Sequence, residues 1–197
     1  MEEEKYTLVK NSPYGKVYES KNYYKKVYKI PDIVEDNSYF INKYDNIAKS
    51  MIFLAKKMPD YIPKVVNIIY TTEDTTIIME KIEGITLNDL LLKKEQYKLR
   101  DINRIVTSLI SAVIALHDLG YCHNDLNHYN IIIRTDFSAV LIDFDTISKY
   151  NITNTDIIII KCYIAHLMFK IEQNLFFENI LELIKGLKKE DITLYSE

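Results

Sequence analysis

The chain changes character at Gly84. Before it, short runs rich in β-branched and aromatic residues are separated by turn residues; beyond it, the spacing of apolar residues becomes helical. Strands gathered at one end and helices at the other indicate an α+β arrangement in which sheet and helices segregate. The runs YTLVK, KVYES and YYKKVYKI precede Pro31 and predict three strands in a meander. From Tyr39 to Met58, Ile47, Met51, Phe53 and Leu54 recur at roughly helical spacing, and Pro59 and Pro63 close the segment. KVVNIIYT and TTIIMEKI, joined by the polar turn TEDT, predict two further strands. After Gly84, TLNDLLLKKEQY reads as a short helix with Thr86 as N-cap and Asp89 three positions on. RDINRIVTSLISAVIALHDLG aligns Ile102, Ile105, Val106, Leu109, Ile110, Val113, Ile114 and Leu116 on one face and stops at Gly120. NIIIR and AVLIDF, separated by TDFS, predict a hairpin, and two helices follow, from Thr155 to Gln173 and from Leu175 to Leu187.

Composition narrows what such a chain does. Of the 197 residues, 48% are hydrophobic and 27% charged, the values of a chain that folds. The net charge of −3 offers no basic field for a polyanion, so nucleic acid is not expected as a partner. Cys122 and Cys162 lie far apart with no metal-binding or disulfide spacing, which fits a reducing interior. The opening MEEEKYTLVK is acidic where a secretion signal is basic and then apolar. The most apolar run, DIIIIKCYIAHLMFKI, is broken by Lys161 and His166 and falls short of the roughly 20 residues of a membrane span, so it reads as a buried helix. A cytoplasmic protein without membrane attachment is expected, inside a host cell if the source is a pathogen or virus.

Between the long helix and the hairpin lies a polar octet, HNDLNHYN, from His123 to Asn130. Alone, it suits an Asn/Asp-rich turn equally well. The sequence LIDFD, following at Leu141, changes its weight. The octet resembles the catalytic loop His-x-Asp-Leu-x-x-x-x-Asn of protein kinases, and LIDFD resembles their metal-binding Asp-Phe-Gly segment. IIMEKIEGITLNDLL is similar to the hinge between the lobes, and LHDLGYCHND to the helix end that enters the catalytic loop. The resemblance covers most of the chain from Tyr6 to about Met168. It implies a two-lobed protein-kinase-like fold: an N-terminal five-stranded antiparallel sheet plus one helix over residues 1–83, and a truncated, mainly helical C-terminal lobe over 84–197.

It also implies an ATP- and Mg²⁺-dependent phosphotransferase acting on a protein substrate, most simply a Ser/Thr kinase. Asp125 would accept or orient the acceptor hydroxyl's proton, and Asn130 and Asp143 would hold Mg²⁺. Lys29, in KVYKI, matches the strand lysine that grips the α- and β-phosphates, with Val27 in the usual small-residue place and Lys25 and Lys26 close by. Met79 would guard the back of the pocket, the backbone of Glu80 and Ile82 would pair with adenine, and Gly15 is what remains of the phosphate-covering glycine loop. The family's glutamate partner for the lysine has no clean match in the first helix; Asp45 is the first candidate and Glu35 the second. His123 would brace the catalytic loop through backbone hydrogen bonds.

Several positions depart from the family pattern. Asn124 stands where regulated kinases carry an arginine, Asn127 where many Ser/Thr kinases carry a lysine, and Asp145 where the metal-binding segment has glycine. Asp156 follows Asp143 by only 13 positions, which leaves no room for an ordinary activation segment. Both this interval and Asn124 imply an enzyme not switched by loop phosphorylation, either constitutive or set by a regulatory protein partner. His123 follows Glu80 by 43 positions, close to the uninserted protein-kinase spacing. The nearest resemblances are therefore to minimal kinases: the small KEOPS-complex kinase, RIO-like kinases and compact pathogen effectors. The eroded glycine loop and the missing helix glutamate keep open a pseudokinase that acts by protein binding. A small-molecule kinase is a third reading.

Overall fold

The computed structural model describes residues 4–13, 15–30, 38–93, 97–149 and 155–168. In chain order come β1 (Thr7–Ser12), β2 (Gly15–Glu19), β3 (Tyr23–Lys29), α1 (Ser38–Lys57), β4 (Val65–Tyr70) and β5 (Asp74–Glu80). These five strands form one antiparallel sheet in the order β1-β2-β3-β5-β4. Alternation of side chains along β3 turns Tyr24, Lys26 and Tyr28 to one face and Lys25, Val27 and Lys29 to the other. Lys25 covers the rings of Tyr6 and Tyr18 at 4.7 and 4.6 Å. α1 presses Tyr44, Ile47, Ala48, Met51 and Leu54 into the core.

Gly15 is required by packing. A Cβ there would lie 2.1 Å from the Val27 carbonyl oxygen, and φ is +155°. The glycine lets the β1–β2 turn close directly onto β3.

Beyond Gly84 follow β6 (Ile85–Thr86), α2 (Leu87–Leu92), α3 (Leu99–Asp118), β7 (Tyr121–Cys122), β8 (Ile131–Ile133), β9 (Ala139–Leu141), β10 (Ser148–Lys149) and α4 (Thr155–Met168). Thr86 caps α2 as expected: its Oγ1 accepts from the Asp89 amide at 3.0 Å and donates to Asp89 Oδ2 at 2.7 Å. α3 buries Ile102, Ile105, Val106, Leu109, Ile110, Val113 and Leu116; Ile114, assigned to the same face from sequence, is exposed. β8 and β9 form the expected hairpin, extended by β6, and β10 pairs with β7. The helix expected from Thr155 is described to Met168, while the one from Leu175 to Leu187 and the candidate Glu35 lie outside the described residues. No helix among the described residues is long and apolar enough to cross a membrane.

The two halves are stitched at the rim. The Leu141 amide donates to the Tyr61 carbonyl at 2.8 Å, and Arg134 Nη1 donates to the Asp60 carbonyl at 3.0 Å. Gly84 passes so close to β8 that a Cβ would stand 2.4 Å from the Ile133 carbonyl oxygen. Between the sheet and the helical half lies a cleft lined by Lys26, Met79, Glu80, Ile82 and Asp143.

Candidate active site

The cleft has a volume of about 540 Å³. Val17, Lys26 and Tyr28 roof it, Met79 to Ile82 form one wall, and Ile132, Ile142 and Asp143 form the floor. Met79 pairs across the sheet with Tyr24 and Val65, packs on the core and lines the cleft. The Glu80 amide is committed to the Lys64 carbonyl at 2.9 Å. Among the described residues no backbone hydrogen bond involves Ile82, so both its backbone groups are available.

The octet from His123 to Asn130 is held by its own side chains. Asn130 Nδ2 donates to the Asp125 carbonyl at 2.9 Å and to Asp125 Oδ2 at 3.0 Å, while Asn127 Nδ2 donates to Asp125 Oδ1 at 2.9 Å. Asn127 Oδ1 in turn accepts from the amides of Tyr129 and Asn130 at 2.9 and 3.2 Å. Asp125 is exposed and aimed by two amides; Asn130 is buried beneath it. With its nitrogen spent on Asp125, Asn130 has its Oδ1 left as a ligand atom. The Ile142 amide donates to the Asn130 carbonyl at 2.9 Å, which sets Asp143 beside the octet.

His123 is the expected brace. Its Nε2–H donates to the Ile142 carbonyl at 2.9 Å and its ring lies 4.8 Å from Phe144. Burial pushes its pKa below the ordinary histidine value, which keeps the ring neutral. Asp156, buried at the start of α4, accepts from the amides of His123 (2.8 Å) and Asn124 (3.1 Å) and contacts His117 Nε2 at 3.2 Å. Burial raises the Asp156 pKa, but the His117 and His123 hydrogen bonds outweigh it and hold the carboxylate below its usual range. Asn124 and Asp143 both take left-handed backbone, with φ of 63° and 64°. Such strain, costing about 1–3 kcal/mol per residue, persists where the surroundings over-determine the conformation.

The lysine expectation is corrected. Lys29 is exposed, ends β3 opposite Asp74, and has the strand parity that faces away from the cleft. Lys26 has the other parity: its Nζ is 2.6 Å from both Asp143 Oδ1 and Asp145 Oδ2. Burial opposes the Lys26 charge, and Asp145 and Asp143 more than compensate, so its pKa lies above the ordinary lysine value. Asp143 is pushed up by burial and pulled down further by Lys26, ending low. Tyr24, two positions before Lys26, therefore fills the small-residue place expected of Val27, and it lines the cleft. Lys81 also lines the cleft, and its Nζ lies 3.1 Å from Glu19 Oε2, which accepts from the Tyr24 hydroxyl at 3.2 Å.

Asp45 is also corrected as the lysine's partner. It binds Lys49 at 2.6 Å and accepts from the Tyr70 hydroxyl at 2.8 Å, on the β4 side of α1. Gly15 serves the β2–β3 contact described above. Ser12 Oγ donates to the Gly15 carbonyl at 3.0 Å, so that hydroxyl is used within the turn. Asn130 Oδ1 and the Asp143 carboxylate are hard oxygen donors of the kind Mg²⁺ takes.

A family model of the protein kinase domain matches residues 11–173. The chain belongs to the protein kinase domain family. Among curated relatives, it is 30% identical over 125 residues to the probable serine/threonine-protein kinase fnkB of Dictyostelium discoideum, covering 62% of this chain and 23% of that protein. It is 26% identical over 137 residues to the probable serine/threonine-protein kinase glkA of the same organism, covering 66% and 27%. The chain thus spans about a quarter of the length of these relatives. Among solved structures, monomeric WbdD matches with a TM-score of 0.60 at 19% identity, over 88% of this chain and 40% of that one. A second WbdD structure, titled a bifunctional kinase-methyltransferase, matches with a TM-score of 0.56 at 15% identity, over 88% and 47%. These structures share the kinase fold.

Proposed function

We propose that this kinase domain is an ATP- and Mg²⁺-dependent phosphotransferase that acts on Ser or Thr hydroxyls of protein substrates. The observation that carries the reading is that Lys26 and Asp143 pair at 2.6 Å inside the cleft, while the Ile142 amide's bond to the Asn130 carbonyl sets the bonded pair Asn130 and Asp125 next to Asp143. Lys26 would hold the nucleotide's phosphates, and Asn130 Oδ1 and the Asp143 carboxylate would hold Mg²⁺, which supplies charge neutralisation of the phosphates. Asp125, fixed by Asn127 and Asn130, would orient the acceptor hydroxyl and take its proton as the oxygen bonds to the γ-phosphorus and ADP leaves. The Ile82 backbone and the Glu80 carbonyl are the groups offered to the base. The kinase names of the sequence relatives support a protein acceptor.

We further propose that loop phosphorylation does not switch the activity. Asn124 Nδ2 donates to the Thr146 carbonyl (2.8 Å), Ser148 Oγ (2.9 Å) and the Cys122 carbonyl (3.3 Å), and Thr146 Oγ1 donates to the His123 carbonyl at 2.8 Å. With β10 paired to β7, the segment after Asp143 is fastened to the catalytic loop by neutral hydrogen bonds, without a phosphate and its arginine. A regulatory protein partner remains compatible with this wiring.

The test is incubation with γ-labelled ATP, Mg²⁺ and mixed acceptor proteins, followed by phosphoamino-acid analysis. Label on phosphoserine or phosphothreonine is expected. Label only on small metabolites would replace the protein-kinase reading with a small-molecule kinase. A second reading, a pseudokinase acting by protein binding, is favoured by Tyr24 in the small-residue place and by Gly15 being used in packing. Absence of any thermal stabilisation by millimolar ATP and Mg²⁺ would select it, because a ligand of the native state must raise stability.

A further inference from the structure

We infer that Asp145 is the positioning residue of Lys26, doing from the segment after the floor strand what the family's helix glutamate does from α1. The inference rests on the phosphotransferase reading and adds to it the device that aims the lysine. Asp45 is the single acidic residue of α1, and it is bound to Lys49 and Tyr70. The face that α1 turns inward is Tyr44, Ile47, Ala48, Met51 and Leu54, which offers the lysine no carboxylate. Lys26 is nevertheless largely buried, its side chain 17% exposed, and a buried ammonium needs a counter-ion.

Two carboxylates meet it, at 2.6 Å each. Asp143 would have to divide its charge and its oxygens between Lys26 and a metal, so its hold on the lysine would weaken when the metal binds. Asp145 is free of that duty, and both its oxygens are assigned: Oδ2 to Lys26 and Oδ1 to the Tyr28 hydroxyl, which donates at 2.6 Å. Burial, with Asp145 beside it, raises the Tyr28 pKa well above the ordinary value, so the hydroxyl keeps the proton that it donates. Tyr28 is fixed from the helix side by stacking on Tyr44, centroids 4.8 Å apart at 26°. The link from helix to lysine that the family makes with one glutamate is made here by Tyr44, Tyr28 and Asp145 in series. Glycine in place of Asp145 would have no side chain for this, so the departure from the family pattern and the absence, among the described residues, of a carboxylate on the inward face of α1 account for each other.

The test measures ADP affinity by calorimetry in EDTA, where any role of Asp145 toward a metal is silent, and repeats ATP kinetics with Mg²⁺. Wild type, Lys26→Met, Asp145→Asn, Asp145→Glu and Tyr28→Phe are compared. Loss of one charge-assisted contact should weaken metal-free ADP binding about tenfold in Asp145→Asn, and about threefold in Tyr28→Phe. Asp145→Glu should recover most of the affinity, and kcat with Mg²⁺ should fall in Asp145→Asn and recover in Asp145→Glu. If Asp145→Asn binds ADP as tightly as wild type or more tightly while Lys26→Met binds weakly, the positioning role is overturned and the phosphotransferase reading survives. Failure of Asp145→Glu to recover also overturns it. If Lys26→Met binds as wild type does, the phosphate-gripping reading fails first, and the role of Asp145 falls with it.

Discussion

Replacing Asp156 tests how the catalytic octet is held in place. Its carboxylate is buried, with the side chain 1% exposed, and it accepts from two backbone amides on the strained turn at His123 and Asn124 while contacting His117. Asp156→Ala leaves both amides without their acceptor, at about 1–3 kcal/mol for each buried donor, so a loss of about 3–5 kcal/mol is expected. Asp156→Asn keeps one oxygen and should lose about 1–3 kcal/mol. Against a total stability of about 5–15 kcal/mol, the alanine variant should be visibly marginal. The assay is urea unfolding at neutral pH, followed by far-UV circular dichroism and extrapolated linearly. The same residue makes a signed pH prediction. Its folded pKa is depressed, so the unfolded chain binds the proton first as pH falls, and the stability it contributes is lost below about pH 4. Wild type should therefore lose stability more steeply than Asp156→Asn on acidification below that point. An alanine variant within about 1 kcal/mol of wild type, or identical acid slopes, would refute the assignment of Asp156 as the anchor of the loop.

Lys26→Met should weaken nucleotide binding about tenfold or more, while Lys29→Met, on the opposite face of β3, should leave it within about twofold; calorimetry on the two variants decides between the strand parities. Asn124→Ala removes the donor to Thr146 and Ser148 and should cost about 1–2 kcal/mol in urea unfolding with a fall in kcat, whereas phosphatase treatment of wild type should leave kcat unchanged. A drop in wild-type activity to a tenth after phosphatase treatment would contradict hard-wired fastening of the segment after Asp143.

The parts of the site that sequence made legible are those written locally. HNDLNHYN places Asp125 and Asn130 at a spacing one loop can satisfy internally, and the structure shows the two side chains bonded to each other. LIDFD is likewise a strand end whose backbone bonds directly to that loop. The lysine was harder, because β3 carries three lysines and the choice depends on strand phase. The signal was present in the alternation: Lys26 shares its face with Tyr24 and Tyr28, the pattern of a half-buried face, while Lys25 and Lys29 share the other. The search for a helix carboxylate failed for a different reason. The partner of Lys26 lies 119 positions along the chain, in the glycine place of the metal-binding segment, and only tertiary packing brings Asp145 to it. The five strands, α1 and α3 were legible because their periodicities are long; the pairing of β10 with β7 was not, since each contributes only two residues.

The most direct test of the central claim is single-turnover transfer of the γ-phosphate with enzyme in excess over labelled ATP, in Mg²⁺, comparing wild type with Asp125→Asn at matched nucleotide occupancy. The account predicts phosphoprotein formation by wild type and a fall of about 10³-fold or more in the variant, since Asp125 is the group proposed to take the acceptor hydroxyl's proton. Equal transfer by the two proteins, or none by either at saturating nucleotide, would contradict it.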